Sequence, residues 1–152
     1  MKKIDLATWK RKEHFDFFSK MKSPTFGIVT EVNCEQCYKN SKEKEESFFA
    51  NYLHKSMIAV NAVDELKYRI TNGEVIAFGK IHAGITITRE DETFGFGFVN
   101  FSSDFETFNI ELQREILADY YIQQIMVKKN PYQKSPLENL RFGKEKKCCP
   151  FQ

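Results

Sequence analysis

The sequence predicts an α/β (α+β) fold, a two-layer sandwich in which a mixed, largely antiparallel sheet carries helices on one side. Three observations lead there. Helical and strand-like segments follow one another without the regular alternation that parallel βαβ units require. Asn72-Gly73 lies between two alternating segments and marks an antiparallel hairpin. A chain of 152 residues, 41% of them apolar, suits one domain around a single core.

Taken in order, Lys12 to Met21 is predicted helical, because Phe15, Phe18 and Met21 recur at three-residue spacing with Phe17 beside them. Pro24 ends that run. Phe26 to Val32 is β-branched and is predicted as a strand. Cys34 to about Lys44 is predicted as a short charged helix. Ser47 to Val63 is predicted as a buried helix capped by Ser47, with Phe48, Tyr52, Leu53, Ile58, Ala59 and Ala62 as its apolar face.

Asp64 to Lys80 then forms the hairpin around Asn72-Gly73. Strands follow at Ile81 to Thr88, with Ile85 and Ile87 on one side, and at Thr93 to Phe101. In the second, Phe94, Phe96 and Phe98 alternate with Gly95 and Gly97. That aromatic face is assigned to the core in preference to an apolar pocket. Ser103-Asp104-Phe105-Glu106 has the spacing of a capping box and opens a helix to about Val127. Asn130-Pro131 stops it. Residues 128–152 form a Lys-rich tail with little periodicity, separate from a domain over residues 1–127.

Charge and composition exclude several classes. The 23 basic and 21 acidic residues leave a net charge of +2, without the basic clustering of a nucleic-acid footprint. Lys128 to Lys147 lacks interleaved aromatics and reads as a solvated tail. No apolar run is long enough for a spanning helix, and none follows the N-terminal lysines as in a signal peptide. The expectation is a cytoplasmic protein with reduced cysteines and no nucleic-acid or membrane partner.

Cys34-Glu35-Gln36-Cys37 has the spacing of a zinc half-site or a redox dithiol. Its only possible zinc partners, Cys148 and Cys149, are adjacent, without the gap that lets two thiolates reach one ion. A redox motif of this kind calls for an early βαβ context. Two thiols on one inward helical face are therefore preferred, and no metal is assigned. His14, His54 and His82 show no catalytic spacing, and His54 falls within a buried helix. Gly95-Phe96-Gly97 lacks the strand-then-helix setting of a phosphate loop.

Several ordered motifs carry a family resemblance. The opening Asp5-x-x-x-Trp9-x-Arg11-Lys12-Glu13-His14-Phe15-x-Phe17-Phe18 is one. Asn61-x-x-x-Glu65-Leu66-Lys67-Tyr68-Arg69-Ile70, after the helix that starts Ser47-Phe48-Phe49, is another. Glu92-Thr93-Phe94 and Phe101-Ser102-Ser103-Asp104-Phe105 follow. Together they resemble the N-terminal part of the chloramphenicol acetyltransferase family, from about residue 4 to about residue 118.

The resemblance implies a trimeric, CoA-dependent O-acetyltransferase that uses acetyl-CoA to acetylate a hydroxyl of chloramphenicol or a related acceptor. It implies a homotrimer with active sites at subunit interfaces. Arg11 matches the arginine that pairs with the Asp of a C-terminal H-H-x-x-x-D-G segment, whose His is the base. Phe17, Phe18 and Phe94 match acceptor-pocket aromatics. Ile85 stands where the family often has a polar Thr, and Ser47 where some members have a Lys near CoA.

The chain has no His-His pair. Cys148-Cys149-Pro150-Phe151 aligns with the family's S-x-x-P-W, which puts Lys147 at the position of the oxyanion-stabilising Ser. No catalytic residue is therefore assigned beyond the supporting Arg11. A truncated or frame-shifted product is expected, inactive alone and prone to instability or association through exposed sheet edges. The alternative is a non-catalytic relative that binds an apolar ligand or acts as an oligomerising module.

Overall fold

A computed structural model describes residues 1–129, with side chains to residue 125. The predicted Lys-rich tail lies, from residue 130 on, outside the described residues, as do Lys147 to Phe151. Among the described residues, five strands fall into two antiparallel sheets. β1 (Lys2–Lys3), β2 (Tyr68–Thr71) and β3 (Glu74–Ala77) form the first, in the order β1-β3-β2. β4 (Ala83–Thr88) and β5 (Phe94–Val99) form the second. The helices are α1 (Lys12–Phe18), α2 (Glu35–Glu43), α3 (Phe48–Ala62) and α4 (Phe105–Lys129). The α/β class stands, with the sheet in two parts.

The hairpin follows its turn chemistry. Thr71 pairs with Glu74, and Asn72 and Gly73 both take positive φ, 52° and 76°. That is the type I′ geometry whose twist matches its flanking strands. Ser47 caps α3 as expected, accepting the Ala50 amide at 3.3 Å.

The core lies between the β4–β5 ribbon and the helices α3 and α4. Ala83, Ile85 and Val99 from the ribbon meet Ala50 and Met57 from α3, and Phe108 and Leu112 from α4. The register Ile85↔Gly97 and Ala83↔Val99 puts these ribbon side chains on one face. Asn61 ties the end of α3 to the approach to β4. Its side-chain amide donates to the Met57 and Ile81 carbonyls, and its carbonyl accepts the Ile81 amide, at 2.8 to 3.0 Å.

Five expectations need correction. Lys2–Lys3 is a strand, so a strand and not a helix comes first; two exposed lysines carry no periodic signal. Residues 26–32 carry no regular secondary structure and join no ladder among the described residues, and Val29 is 99% exposed. β-propensity favours an extended backbone, whereas a strand also needs a ladder partner. The buried face of α3 is Ala50, His54 and Met57, with Leu53 packed beside it, while Tyr52, Ile58, Ala59 and Ala62 are exposed. Apolar residues surround this helix, so its pattern does not single out a face.

The cap of α4 is Asp104 and not Ser103: the Asp104 carboxylate accepts the Thr107 amide at 2.8 Å and its hydroxyl at 2.6 Å. Finally, the aromatic face of β5 points away from the core. Phe94, Phe96 and Phe98 are 58, 78 and 57% exposed. Alternation separates two faces without saying which one a helix covers. Here α4 covers the glycine face, where a helix can approach most closely.

Candidate functional site

The opening motif is a loop folded onto the first sheet. Asp5 shapes it, accepting the Ala7 amide at 2.9 Å and the Thr8 hydroxyl at 3.1 Å. Trp9 then sets its ring edge-on to Tyr68 of β2, 6.2 Å between centroids, and tilted against Phe15 of α1 at 6.1 Å. Arg11 precedes α1 as its N-terminal boundary residue. Its guanidinium donates to Glu65 at 2.8 Å in an exposed ion pair. Both partners thus come from the two sequence motifs noted above, a pairing that their spacing does not announce. Lys12 and Asp16 form an i,i+4 pair on the same helix.

The four candidate acceptor residues are spread over different surfaces. Phe17 and Phe18 end α1, exposed and edge-to-face at 5.3 Å. Phe94 starts β5 on the outer face of the ribbon, edge-to-face with Phe96 at 5.4 Å. Ile85 is buried on the opposite face. It borders an open apolar groove of about 230 Å³ beside β4, lined also by Phe49, Thr86, Ile87, Thr88 and Ile116. Phe17, Phe18 and Phe94 do not line that groove. β4 pairs only with β5 among the described residues, so its other edge faces the groove unladdered.

Two of the three histidines, His54 and His82, are placed for structure. His54 is buried among Phe101, Phe105 and Phe108, and its Nε2–H donates to the Ser102 carbonyl at 3.0 Å. This bond joins α3 to the start of α4 and fulfils the expectation of a hydrogen-bonded core residue. His82 accepts the Phe101 amide through Nδ1 at 3.0 Å, so its proton resides on Nε2. His14 is exposed on α1. Ser47 is occupied as the α3 cap.

Cys34 and Cys37 differ from expectation. Both thiols are free, but Cys34 is the exposed N-cap of α2 and only Cys37 is partly buried. The reading of two inward-facing thiols fails because α2 begins one residue later than Cys34, leaving the first cysteine outside the packed turn. Among the described residues no group of three or more His, Cys, Asp or Glu side chains converges as a metal site would.

Sequence reasoning missed one polar cluster. Arg89 of the β4–β5 turn grips Asp119 of α4 with two bonds, Nε to Oδ2 at 3.0 Å and Nη2 to Oδ1 at 2.5 Å. Asp119 is buried. Its hydrogen bond to Asp119 raises the Arg89 pKa further above the usual guanidinium range. Asp91 accepts both the Thr93 hydroxyl and amide, which holds its carboxyl below the usual carboxylate range, the hydroxyl contributing most. The cluster fixes the turn just before Phe94. The one available signal was a glycine, Gly95, opposite a carboxylate on the next helix. Only the tertiary fold makes that opposition visible.

The fold has known relatives. The family model described as chloramphenicol acetyltransferase matches residues 1–139. A chloramphenicol acetyltransferase of Clostridium perfringens is 30% identical over 120 residues, covering 78% of this chain and 52% of that protein. Chloramphenicol acetyltransferase 3 of Escherichia coli is 27% identical over 109 residues, covering 71% and 51%. A solved chloramphenicol acetyltransferase superposes with a TM-score of 0.67 at 29% identity, covering 89% of this chain and 60% of that one. The chain spans about half the length of the curated relatives it matches. No helix among the described residues is long and apolar enough to cross a membrane.

Proposed function

Because the chain belongs to the chloramphenicol acetyltransferase family, we propose that it serves transfer of an acetyl group from acetyl-CoA to a hydroxyl of a chloramphenicol-type acceptor. The observation that carries the reading is the family match over residues 1–139, with a superposable fold. The reaction requires a base to take the acceptor proton. The acceptor oxygen then attacks the thioester carbonyl, the C–S bond breaks, and the CoA thiolate leaves and takes up a proton. Donors must meet the oxyanion that forms on the way.

Within that reading, residues 1–127 are the acetyltransferase portion. Phe17, Phe18, Ile85 and Phe94 serve the acceptor from separate surfaces that meet only where subunits of the trimer join, and Arg11 supports the catalytic segment by holding a carboxylate. The working form is a cytoplasmic homotrimer. His54 and His82 are committed to backbone partners, and the sequence holds no H-H-x-x-x-D-G segment. The 152 residues carry no counterpart of the family's base and are expected not to catalyse the transfer alone.

Thiol release from acetyl-CoA in the presence of chloramphenicol tests this. The isolated chain is expected to match the uncatalysed rate, and robust turnover would sink the claim of inactivity. Calorimetry tests the acceptor assignment separately. Chloramphenicol binding should weaken at least about fivefold in Phe17→Ala and in Phe94→Ala, a loss of about 1 kcal/mol. Unchanged binding removes those aromatics from the acceptor site.

A further inference from the structure

The Cys34-Glu35-Gln36-Cys37 motif is used by neither the acyl-transfer reading nor the core. We propose that Cys34 and Cys37 form a redox-active dithiol, oxidised reversibly to an internal disulfide by a low-molecular-weight disulfide such as oxidised glutathione. The placement of the two residues carries this. Cys34 is the N-cap of α2 and Cys37 is its third helical residue. Glu35 and Gln36, the two residues between them, are helical. Helix geometry then puts the two Cα atoms about 5 Å apart, within the span of roughly 4.4–6.8 Å that a disulfide bridges.

The surroundings give the thiols unequal roles. Cys34 is exposed, so an incoming disulfide can reach it, while Cys37 is partly buried one turn along. The Cys34 side chain makes no capping hydrogen bond, so oxidation costs the helix no cap. Asn33 already supplies an acceptor to the first turn, its side-chain oxygen taking the Glu35 amide at 2.9 Å. The Cys34 carbonyl accepts the Tyr38 amide at 2.9 Å, and the Cys37 carbonyl accepts the Ser41 hydroxyl at 2.8 Å. Ser41 is buried. Both backbones are therefore anchored with their Cα atoms within the span of a disulfide.

The exchange balances in two steps. The Cys34 thiolate attacks one sulfur of glutathione disulfide, forming a mixed disulfide as the oxidant's S–S bond breaks and one glutathione thiolate leaves. The Cys37 thiolate then attacks the Cys34 sulfur, forming the internal disulfide and releasing the second glutathione thiolate. Two electrons pass to the oxidant, and the two protons lost by the protein thiols end on the two glutathione thiols.

The test uses the full chain with Cys148→Ser and Cys149→Ser, which removes the remaining cysteines. After reaction with oxidised glutathione, intact mass and free-thiol count are read. The expected product has lost two thiols, is about two mass units lighter and retains no glutathione. Adding Cys37→Ser should trap one glutathione on Cys34. Adding Cys34→Ser should slow reaction at least about tenfold, since the remaining thiol is less accessible. A chain that stays reduced, or ends as a stable mixed disulfide with both cysteines present, overturns the proposal. So does a Cys34→Ser variant that reacts as fast as Cys37→Ser.

Discussion

Gly95→Ala is the sharpest test of how the β4–β5 ribbon is held. A Cβ at Gly95 would lie 1.9 Å from Oδ1, 2.4 Å from Cγ and 2.7 Å from Oδ2 of Asp119. Something must move. Asp119 cannot turn aside freely, because both its oxygens are held by Arg89. The methyl group must therefore open a buried ion pair or push α4 off the ribbon. Leaving a buried charge without its partner costs about 3–5 kcal/mol. Arg89 keeps some access to water, so about 3 kcal/mol is the expected loss.

Two sibling glycines calibrate the experiment. The nearest atoms to a Cβ at Gly97 are methyl and methylene carbons of Ile85 and Ile87, at 3.1 to 3.3 Å. Gly97→Ala should cost about 1 kcal/mol, a mild overpacking. A Cβ at Gly84 meets nothing within 4 Å, and Gly84→Ala should be neutral or stabilise by about 0.5 kcal/mol through the unfolded chain. Urea unfolding followed by circular dichroism measures all three. A Gly95→Ala variant as stable as Gly84→Ala would refute the reasoning. A cycle with Asp119→Ala isolates the contact: Gly95→Ala should cost at least about 1 kcal/mol less in that background.

Other outcomes follow from the same contacts. Ser47→Ala removes the cap of α3 and should lower stability by about 1 kcal/mol in urea unfolding. The folded-state pKa of Asp104 is held below the usual carboxylate range, chiefly by the Thr107 hydroxyl and then by its amide. Its stabilisation is thus complete above about pH 4 and fades as pH falls through the lowered folded value. The midpoint difference between the parent chain and Asp104→Asn should accordingly shrink from pH 6 to pH 3; a constant difference would contradict this. Phe26→Lys with Val29→Lys charges an exposed apolar segment and should reduce concentration-dependent association in light scattering. Equal association in both chains would place the sticky surface elsewhere.

Signals that act within a few residues were legible in the sequence. Asn72-Gly73 predicted its turn because left-handed backbone is a local demand. Ser47 predicted its helix start because a cap satisfies amides two or three residues away. Elements whose sense depends on a distant neighbour were harder to read. The Phe-Gly alternation of β5 showed two unlike faces, but which one is buried depends on how α4, starting at Phe105, turns back over the ribbon. Residues 26–32 have the composition of a strand and no ladder to join among the described residues. Cys34 and Cys37 looked equivalent until the first helical residue was known. One residue of offset separates an inward pair from an exposed cap and a partly buried follower.

The opening motif shows how the same distinction bears on function. Asp5 and Trp9 are consumed by the fold, one by its own turn and the other by Tyr68. Arg11 is held differently. Its bond to Glu65 lies in solvent, with both side chains roughly half exposed, and exposed pairs contribute only about 0–1 kcal/mol. Glu65 therefore orients the guanidinium without committing it. A carboxylate reaching Arg11 from a drier direction would bind it more strongly, since charge-assisted bonds gain as the local dielectric falls. The weakness of the Arg11–Glu65 pair is thus compatible with the supporting role proposed for Arg11. A buried pair like Arg89–Asp119 at that position would not be.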